Sequence, residues 1–319
     1  MLLLSDEDVR GHIDMATAIE QMRQAFLEQA AGTFIGPART SLQAPAGKLV
    51  FAKGGAVGLD AHGNNDEHAN VIGFRVYPIF KNDSVTAGDD QMVVVYNADT
   101  GKLKGIITGR YIGSLRTGAI NGLAADLMAR KDARVLGVIG AGYQARTQIK
   151  AILAVRPIKK ILLFSRTKSR TRALKQYLER RFDGDVQLED EAEDVVEDSD
   201  ILITATNSRT PIFNTRDLKR GIHINSIGPK FEDAHELPED ILNRLDLIVT
   251  DSLAQLAGYS RPYFLGDNIG MLGLDKLVSG SHPGRKSADE ITLFSSAGLA
   301  GTEVVLANYL LDKFAKADV

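Results

Sequence analysis

The sequence predicts an α/β fold in two domains, one a mostly parallel sheet, the other an α+β unit with a largely antiparallel sheet. Residues 133–145 read Ala-Arg-Val-Leu-Gly-Val-Ile-Gly-Ala-Gly-Tyr-Gln-Ala, an apolar strand of the doubly buried kind that runs straight into a glycine turn. After that turn, apolar strands alternate with helical stretches, the order of a parallel sheet with crossover helices. From about Arg39 to Thr108 the pattern is different: strands separated by turn-rich loops.

In chain order, residues 2–4 form a short strand, and Ser5 with Asp8 makes a capping box that opens a brief helix. Asp14 caps a longer helix whose Ala18, Ile19, Met22, Ala25, Phe26 and Ala30 keep the 3.6 period, with Gly32 as its stop. Strands follow at 49–52, 71–77, 92–96 and 103–108, and Asn97-Ala-Asp-Thr-Gly101 is the turn between the last two. The stretch 111–130 is helical, with Gly118, Ala119, Gly122, Ala125 and Ala129 allowing close packing. Further strands are expected at 161–164, 201–206, 222–227, 247–250 and 291–294. The basic stretch 160–181, a helical region, and the acidic one at 189–200 read as solvated faces. An amphipathic helix at 299–317 closes the chain. The domains divide as 1–115 with 300–319, and 116–299.

Composition narrows the function. With 319 residues, 44% hydrophobic and 25% charged, the chain has the balance of a globular protein large enough for two cores. A net charge of −3 offers no attraction for nucleic acid or an anionic membrane surface, and the absence of cysteine excludes disulfides and thiolate chemistry. The start Met1-Leu-Leu-Leu-Ser-Asp-Glu-Asp turns acidic too soon for a signal peptide, and no apolar run nears the ~18 residues of a membrane span. A cytoplasmic enzyme is expected. His62, Asp66, Glu67 and His68 resemble metal ligands, but their glycine- and asparagine-rich setting reads as a loop, and no metal is expected. No Gly-x-Ser-x-Gly elbow supports a serine hydrolase.

The turn itself has a definite chemistry. Gly140 and Gly142 permit a tight bend and let the backbone approach a pyrophosphate, while Ala145 is small enough for the helix at 144–155 to pack on the strand. That helix aims free N–H groups at the anion. With Ala141, Tyr143 and Gln144 this is the Rossmann-type dinucleotide fingerprint in its strand–turn–helix context. The carboxylate that holds the ribose 2′-hydroxyl of NAD is missing about 20 residues on, where the chain reads Phe164-Ser-Arg-Thr-Lys-Ser-Arg170. Ser165 and Thr167 can donate to a 2′-phosphate, Arg166 can pair with it, and Lys168 or Arg170 adds a second cation. NADP(H) is therefore the preferred cofactor and NAD(H) the second choice. Thr206, Asn207, Ile227 and Gly298 are assigned to the same site.

Three further segments carry a resemblance: Arg116-Thr-Gly-Ala-Ile-Asn-Gly-Leu-Ala-Ala-Asp-Leu, Gly221-Ile-His-Ile-Asn-Ser-Ile-Gly, and Pro283-Gly-Arg-Lys-Ser-Ala-Asp-Glu-Ile-Thr-Leu-Phe-Ser-Ser-Ala-Gly-Leu-Ala. With the Gly-Ala-Gly-Tyr-Gln-Ala turn, their order and spacing resemble the ornithine cyclodeaminase/mu-crystallin family over nearly the whole chain. The resemblance implies a Rossmann domain beside a substrate-binding domain, formed by the N-terminal half and the C-terminal helix, that also makes a homodimer. It implies one of the family's activities: cyclodeaminase, alanine dehydrogenase, ketimine or imino-acid reductase, or NADPH-binding crystallin. It places Arg116 and Thr117 beside the cofactor phosphates and substrate carboxylate, and gives Arg39 a grip on that carboxylate. Two positions depart from the family pattern. Arg75 stands where many members carry a catalytic lysine, and Pro229-Lys230 where cyclodeaminases carry an aspartate. A guanidinium is a carboxylate clamp rather than a proton donor, and without the aspartate a ring-closing deamination loses its acid/base.

What remains fits hydride transfer between nicotinamide C4 and the α-carbon of an imino or amino acid. Arg39 and Arg116 take the α-carboxylate, and Arg75 the same group or a second acidic one, for which Lys230 is a further cation. Lys53 is the first candidate proton source, since burial among arginines would lower its pKa. Lys230, Tyr77 and His235 follow, although His235 also reads as an exposed helix-start residue. Two other readings stand beside this one: a cyclodeaminase that recycles bound NAD, and a crystallin-like NADPH-binding protein without catalysis.

Overall fold

The computed structural model describes residues 1–57, 70–80, 90–266 and 269–317. They fall into two compact units, Met1–Arg116 with Gly298–Val319, and Thr117–Ala297.

The first unit holds β1 (Leu2–Leu4), α1 (Asp6–His12), α2 (Met15–Ala31), β2 (Phe34–Ile35), β3 (Thr40–Ala44), β4 (Gly47–Ala56), β5 (Val71–Phe80), β6 (Met92–Asn97) and β7 (Leu103–Thr108). The chain then enters α3 (Tyr111–Met128). Ser5 and Asp8 form the reciprocal capping box, Asp14 accepts from Thr17 N at 2.7 Å, and Gly32 ends α2 with φ of 79°. Among the described residues the strands make a sheet in the order β1-β7-β6-β5-β4-β2, with β3 also on β4. Only β1 and β7 run parallel in it. Met22, Ala25 and Phe26 of α2 are buried, and the C-terminal α9 (Thr302–Ala317) packs across β4 to β7 and against α2.

The second unit runs through β8 (Val135–Ile139), α4 (Ala145–Val155), β9 (Lys160–Phe164), α5 (Lys168–Glu179), β10 (Asp185–Leu188), α6 (Ala192–Asp198) and β11 (Ile201–Thr204). It continues with β12 (His223–Ser226), β13 (Lys230–Phe231), β14 (Ala234–His235), β15 (Leu247–Thr250), α7 (Leu253–Ala257), β16 (Leu272–Gly273), α8 (Leu274–Val278) and β17 (Thr292–Ser295). Among the described residues the large sheet is all parallel, in the order β10-β9-β8-β11-β12-β17-β15-β16. Alternate strand residues feed two separate cores. Leu202, Ile224 and Leu293 join one, and Leu136, Val138, Ile161 and Ile203 the other. This is the Rossmann-type arrangement. The strand order reverses between β8 and its neighbours β9 and β11, which opens a crevice at their C-terminal ends. At the opposite end, buried Asp200 accepts from Arg134 N at 2.8 Å and Val135 N at 3.0 Å and pairs with Arg130.

Some boundaries differ from expectation. The strand expected at 201–206 stops at Thr204. The C-terminal helix begins at Thr302 rather than 299. Strand β10 was not anticipated, because Val186 is its only buried residue. Among the described residues no helix is long and apolar enough to cross a membrane.

Candidate functional site

In the second unit, β8 ends on Gly140, whose N–H donates to Phe164 O at 2.8 Å and whose φ is +114°. A Cβ there would lie 2.4 Å from Ala205 O, so only glycine fits. A Cβ on Gly142 would meet nothing within 4 Å. The space before the turn is open, as a pyrophosphate needs. Ala145 is buried at the start of α4.

A cleft of about 380 Å³ lies at this turn. Of the residues assigned to the cofactor, Gly140, Ala141, Gly142, Ser165, Arg166, Thr167, Thr206 and Asn207 line it, and so does Arg170. Tyr143, Gln144, Lys168 and Ile227 of the same unit are not among its lining residues. Tyr143 is exposed beyond the turn, Gln144 is the residue before α4, and Lys168 is drawn to Asp190 at 2.9 Å. Ile227 follows β12 and offers its carbonyl to Lys230. Sequence reasoning missed Glu191 and Glu193, which also line the cleft. Nothing in that acidic run distinguishes them from surface residues.

The wall formed by the loop after β11 is tied down by Glu236, which is fully buried. Its Oε1 accepts from Thr204 Oγ1 (2.7 Å), Gly228 N (2.8 Å) and Ser226 Oγ (3.3 Å). Its Oε2 accepts from Thr206 N (3.0 Å) and Thr206 Oγ1 (2.8 Å). The same sheet buries His223, with Nδ1 2.8 Å from Thr292 Oγ1 and Nε2 3.0 Å from Asn225 Oδ1. Burial, and Arg285 after it, push this imidazole down to about 3, so it stays neutral and knits strands together.

Lys230 is buried in β13, its ammonium donating to Gly228 O at 2.7 Å and Ile227 O at 3.4 Å. His235, expected as an exposed helix-start residue, is instead buried in β14. Its Nδ1 lies 2.8 Å from Leu237 O, and its ring stacks on Phe264. The hairpin β13–β14 sets both, and its two-residue strands are too short to show a period in the sequence.

The first unit gathers the arginines. Arg75 on β5 and Arg116 on α3 share one carboxylate, Glu303 of α9. Arg116 donates from Nε at 2.9 Å and pairs through Nη2 at 2.8 Å, and Arg75 Nη1 donates at 3.1 Å. Arg75 Nη2 donates to Gln91 Oε1, and the guanidinium lies over the Tyr77 ring. Glu303 is 1% exposed. Burial pushes its pKa up, but Arg116, Arg75 and Arg39 outweigh that and hold the carboxyl at about 2. Arg39 donates to Gly298 O at 2.8 Å, and Gly298, at φ of +90°, leaves no room for a Cβ against that guanidinium. Glu303 was not foreseen. Lys53 does not sit where its proposed role needs it. In the β4–β5 ladder Ala52 faces Arg75 and Lys53 faces Phe74, so Lys53 lies exposed on the opposite side of the sheet. Among the described residues no group of His, Cys, Asp and Glu could hold a metal ion, and His62, Asp66, Glu67 and His68 lie outside them.

The family model described as ornithine cyclodeaminase/mu-crystallin family matches residues 1–318. The chain belongs to the ornithine cyclodeaminase/mu-crystallin family. Within it, a Delta(1)-pyrroline-2-carboxylate reductase of Bacillus cereus is 30% identical over 98% of this chain and 96% of its own. The structure of Thermococcus litoralis Delta(1)-pyrroline-2-carboxylate reductase in complex with NADH and L-proline superposes with a TM-score of 0.88. It is 28% identical and covers 100% of this chain and 99% of its own. An archaeal alanine dehydrogenase dimer with bound NAD gives a TM-score of 0.87 at 26% identity, over 100% and 97%. These family members act on C=N or CH–NH2 groups.

Proposed function

We propose that the chain is a nicotinamide-dinucleotide-dependent oxidoreductase that reduces an imino acid or ketimine to an amino acid, or runs the reverse dehydrogenation. The observation that carries this reading is the cleft at Gly140 and Gly142, whose open turn suits a pyrophosphate. The domain of residues 116–299 binds the cofactor, and residues 1–115 with 300–319, together with Arg116 at the boundary, bind the substrate. When bound, the nicotinamide supplies the hydride that adds to the α-carbon. Arg39, Arg75 and Arg116 hold the substrate carboxylate, with Glu303 fixing two of the guanidinium forks in place. The proton on nitrogen arrives with the substrate as its iminium form, so no lysine beside Arg75 is required. Relatives that reduce pyrroline-2-carboxylate make a five-membered cyclic imino acid the first substrate to try. A cyclodeaminase reading is less well supported, because Pro229-Lys230 provides no carboxylate and Lys230 is engaged with two backbone carbonyls.

NADP(H) is the preferred cofactor in this reading and NAD(H) the accepted alternative. Arg166, Arg170, Ser165 and Thr167 line the cleft after β9, and these two guanidinium groups offer a 2′-phosphate its pairing partners, with Glu191 and Glu193 on the same lining opposing them. Steady-state oxidation of each cofactor by cyclic imino acids is the test. NADPH is expected to win by about tenfold in kcat/KM, a margin that Arg166→Glu reverses. Equal use of both cofactors by wild type and variant would remove the NADP(H) preference. No turnover with any imino acid would remove the reductase.

The chain is further proposed to be a homodimer through the outer face of the first sheet. The registers place Phe51, Val76 and Met92 side by side on it, as they do Leu42, Leu49 and Pro78. Leu42 and Leu3, on the same face, are each 64% exposed. These apolar side chains, with exposed Lys53 on the same face, form the proposed association surface, and a second copy is its occupant, as the archaeal relative's dimer suggests. Phe51→Asp is expected to turn a dimer into a monomer by sedimentation. A monomeric wild type would contradict this.

A further inference from the structure

We propose that Glu236 is a positioning residue for the dinucleotide, holding the loop wall of the cleft and the end of β12 in one fixed geometry. The inference rests on the cofactor-binding reading above. Five donors converge on this fully buried carboxylate. An ionised carboxylate accepts only, so it is the one side-chain type that can satisfy so many inward-pointing N–H and O–H groups at once.

What hangs on those bonds is the cleft. Thr206 lines it and gives Glu236 both its N–H and its hydroxyl. The Thr206 hydroxyl in turn accepts from Ser208 N at 3.0 Å, and Ser208 also lines the cleft. The backbone carbonyl of Glu236 accepts from Ile212 N at 3.0 Å, and Ile212 is a third lining residue. On the other side the carboxylate holds Gly228 N and Ser226 Oγ, at the C-terminal end of β12. A Cβ at Gly228 would sit 2.3 Å from Glu236 Oε2, so the chain there is glycine because the carboxylate needs the room. One side chain thus sets the spacing between the two loops that leave β11 and β12, where a parallel sheet of this type binds its ligand.

Glu236→Gln keeps the shape but turns an –NH2 group toward at least one of these donors, and the loop must move away. Calorimetric titration of the full chain with NADPH and NADH, followed by cofactor kinetics, tests this. Glu236→Gln is expected to raise the cofactor Kd and KM about tenfold or more, while kcat at saturating cofactor stays within about twofold. Thr206→Val, which keeps the N–H but loses the hydroxyl, should raise both about threefold. Asp200→Asn removes a comparably bonded carboxylate at the far end of the sheet. It should lower the melting temperature and leave the cofactor Kd within about twofold. An unchanged Kd in Glu236→Gln, or an equal rise in Asp200→Asn, would overturn the positioning role. If Glu236→Gln does not fold, an unchanged Kd in Thr206→Val overturns it as well. A wild type that binds no nicotinamide dinucleotide at millimolar concentration would overturn the proposed function itself, and the two failures are distinct.

Discussion

Glu303→Gln is expected to cost about 3–5 kcal/mol of folding stability at neutral pH, the typical penalty for stranding buried cations without their counter-ion. Two guanidinium groups depend on this carboxylate, with side chains only 11% and 6% exposed at Arg75 and Arg116. The same residue sets an acid limb. Its carboxyl sits at about 2 in the fold against an ordinary 4.5, so the folded state favours the ionised form. The stability from that preference is complete above pH 4.5 and is lost as pH falls toward 2. It amounts to about 3 kcal/mol. Denaturant titrations between pH 7 and 3 should show the wild type losing stability over that window, and Glu303→Gln, already weakened at neutral pH, losing less. A variant within about 1 kcal/mol of wild type at pH 7 would show that the three-residue cluster is not what holds these arginines.

Gly142→Val should separate folding from binding. A Cβ at this position meets no protein atom within 4 Å, so the variant is expected to melt within a few degrees of wild type. The added methyl groups fill the space where backbone and pyrophosphate must approach, and the dinucleotide Kd should rise about a hundredfold. Gly140→Val offers the contrast. With φ at +114° and Ala205 O 2.4 Å from a new Cβ, it should damage the fold as well as the site. If Gly142→Val bound NADPH and NADH as tightly as wild type, the turn would not be the pyrophosphate site.

The parts of this fold that sequence patterns reveal are the ones whose signal is local. The run into Gly140, the cap pairs at Ser5 and Asp14, and the αL stop at Gly32 each need only neighbouring residues to be read. Glu303 and Glu236 could not be read this way. Glu303 finds its partners at positions 75 and 116, and Glu236 sits in Glu232-Asp-Ala-His-Glu, which looks like any solvated acidic run. The misplacement of Lys53 has a related cause. Strand pattern says that 53 and 75 lie on neighbouring strands, but the face they share depends on register, and a one-residue shift sends a side chain to the other side of the sheet. The arginines themselves were legible by type and by resemblance, while the carboxylate that orders them was not.

The most direct measurement follows the hydride. With deuterium at both C4 positions of NADPH or NADH and pyrroline-2-carboxylate or a related cyclic imino acid as acceptor, the account predicts an amino-acid product labelled at its α-carbon, with oxidised cofactor formed in equal amount. An unlabelled product, or ammonia released from a basic amino acid with no net change in cofactor, would contradict it.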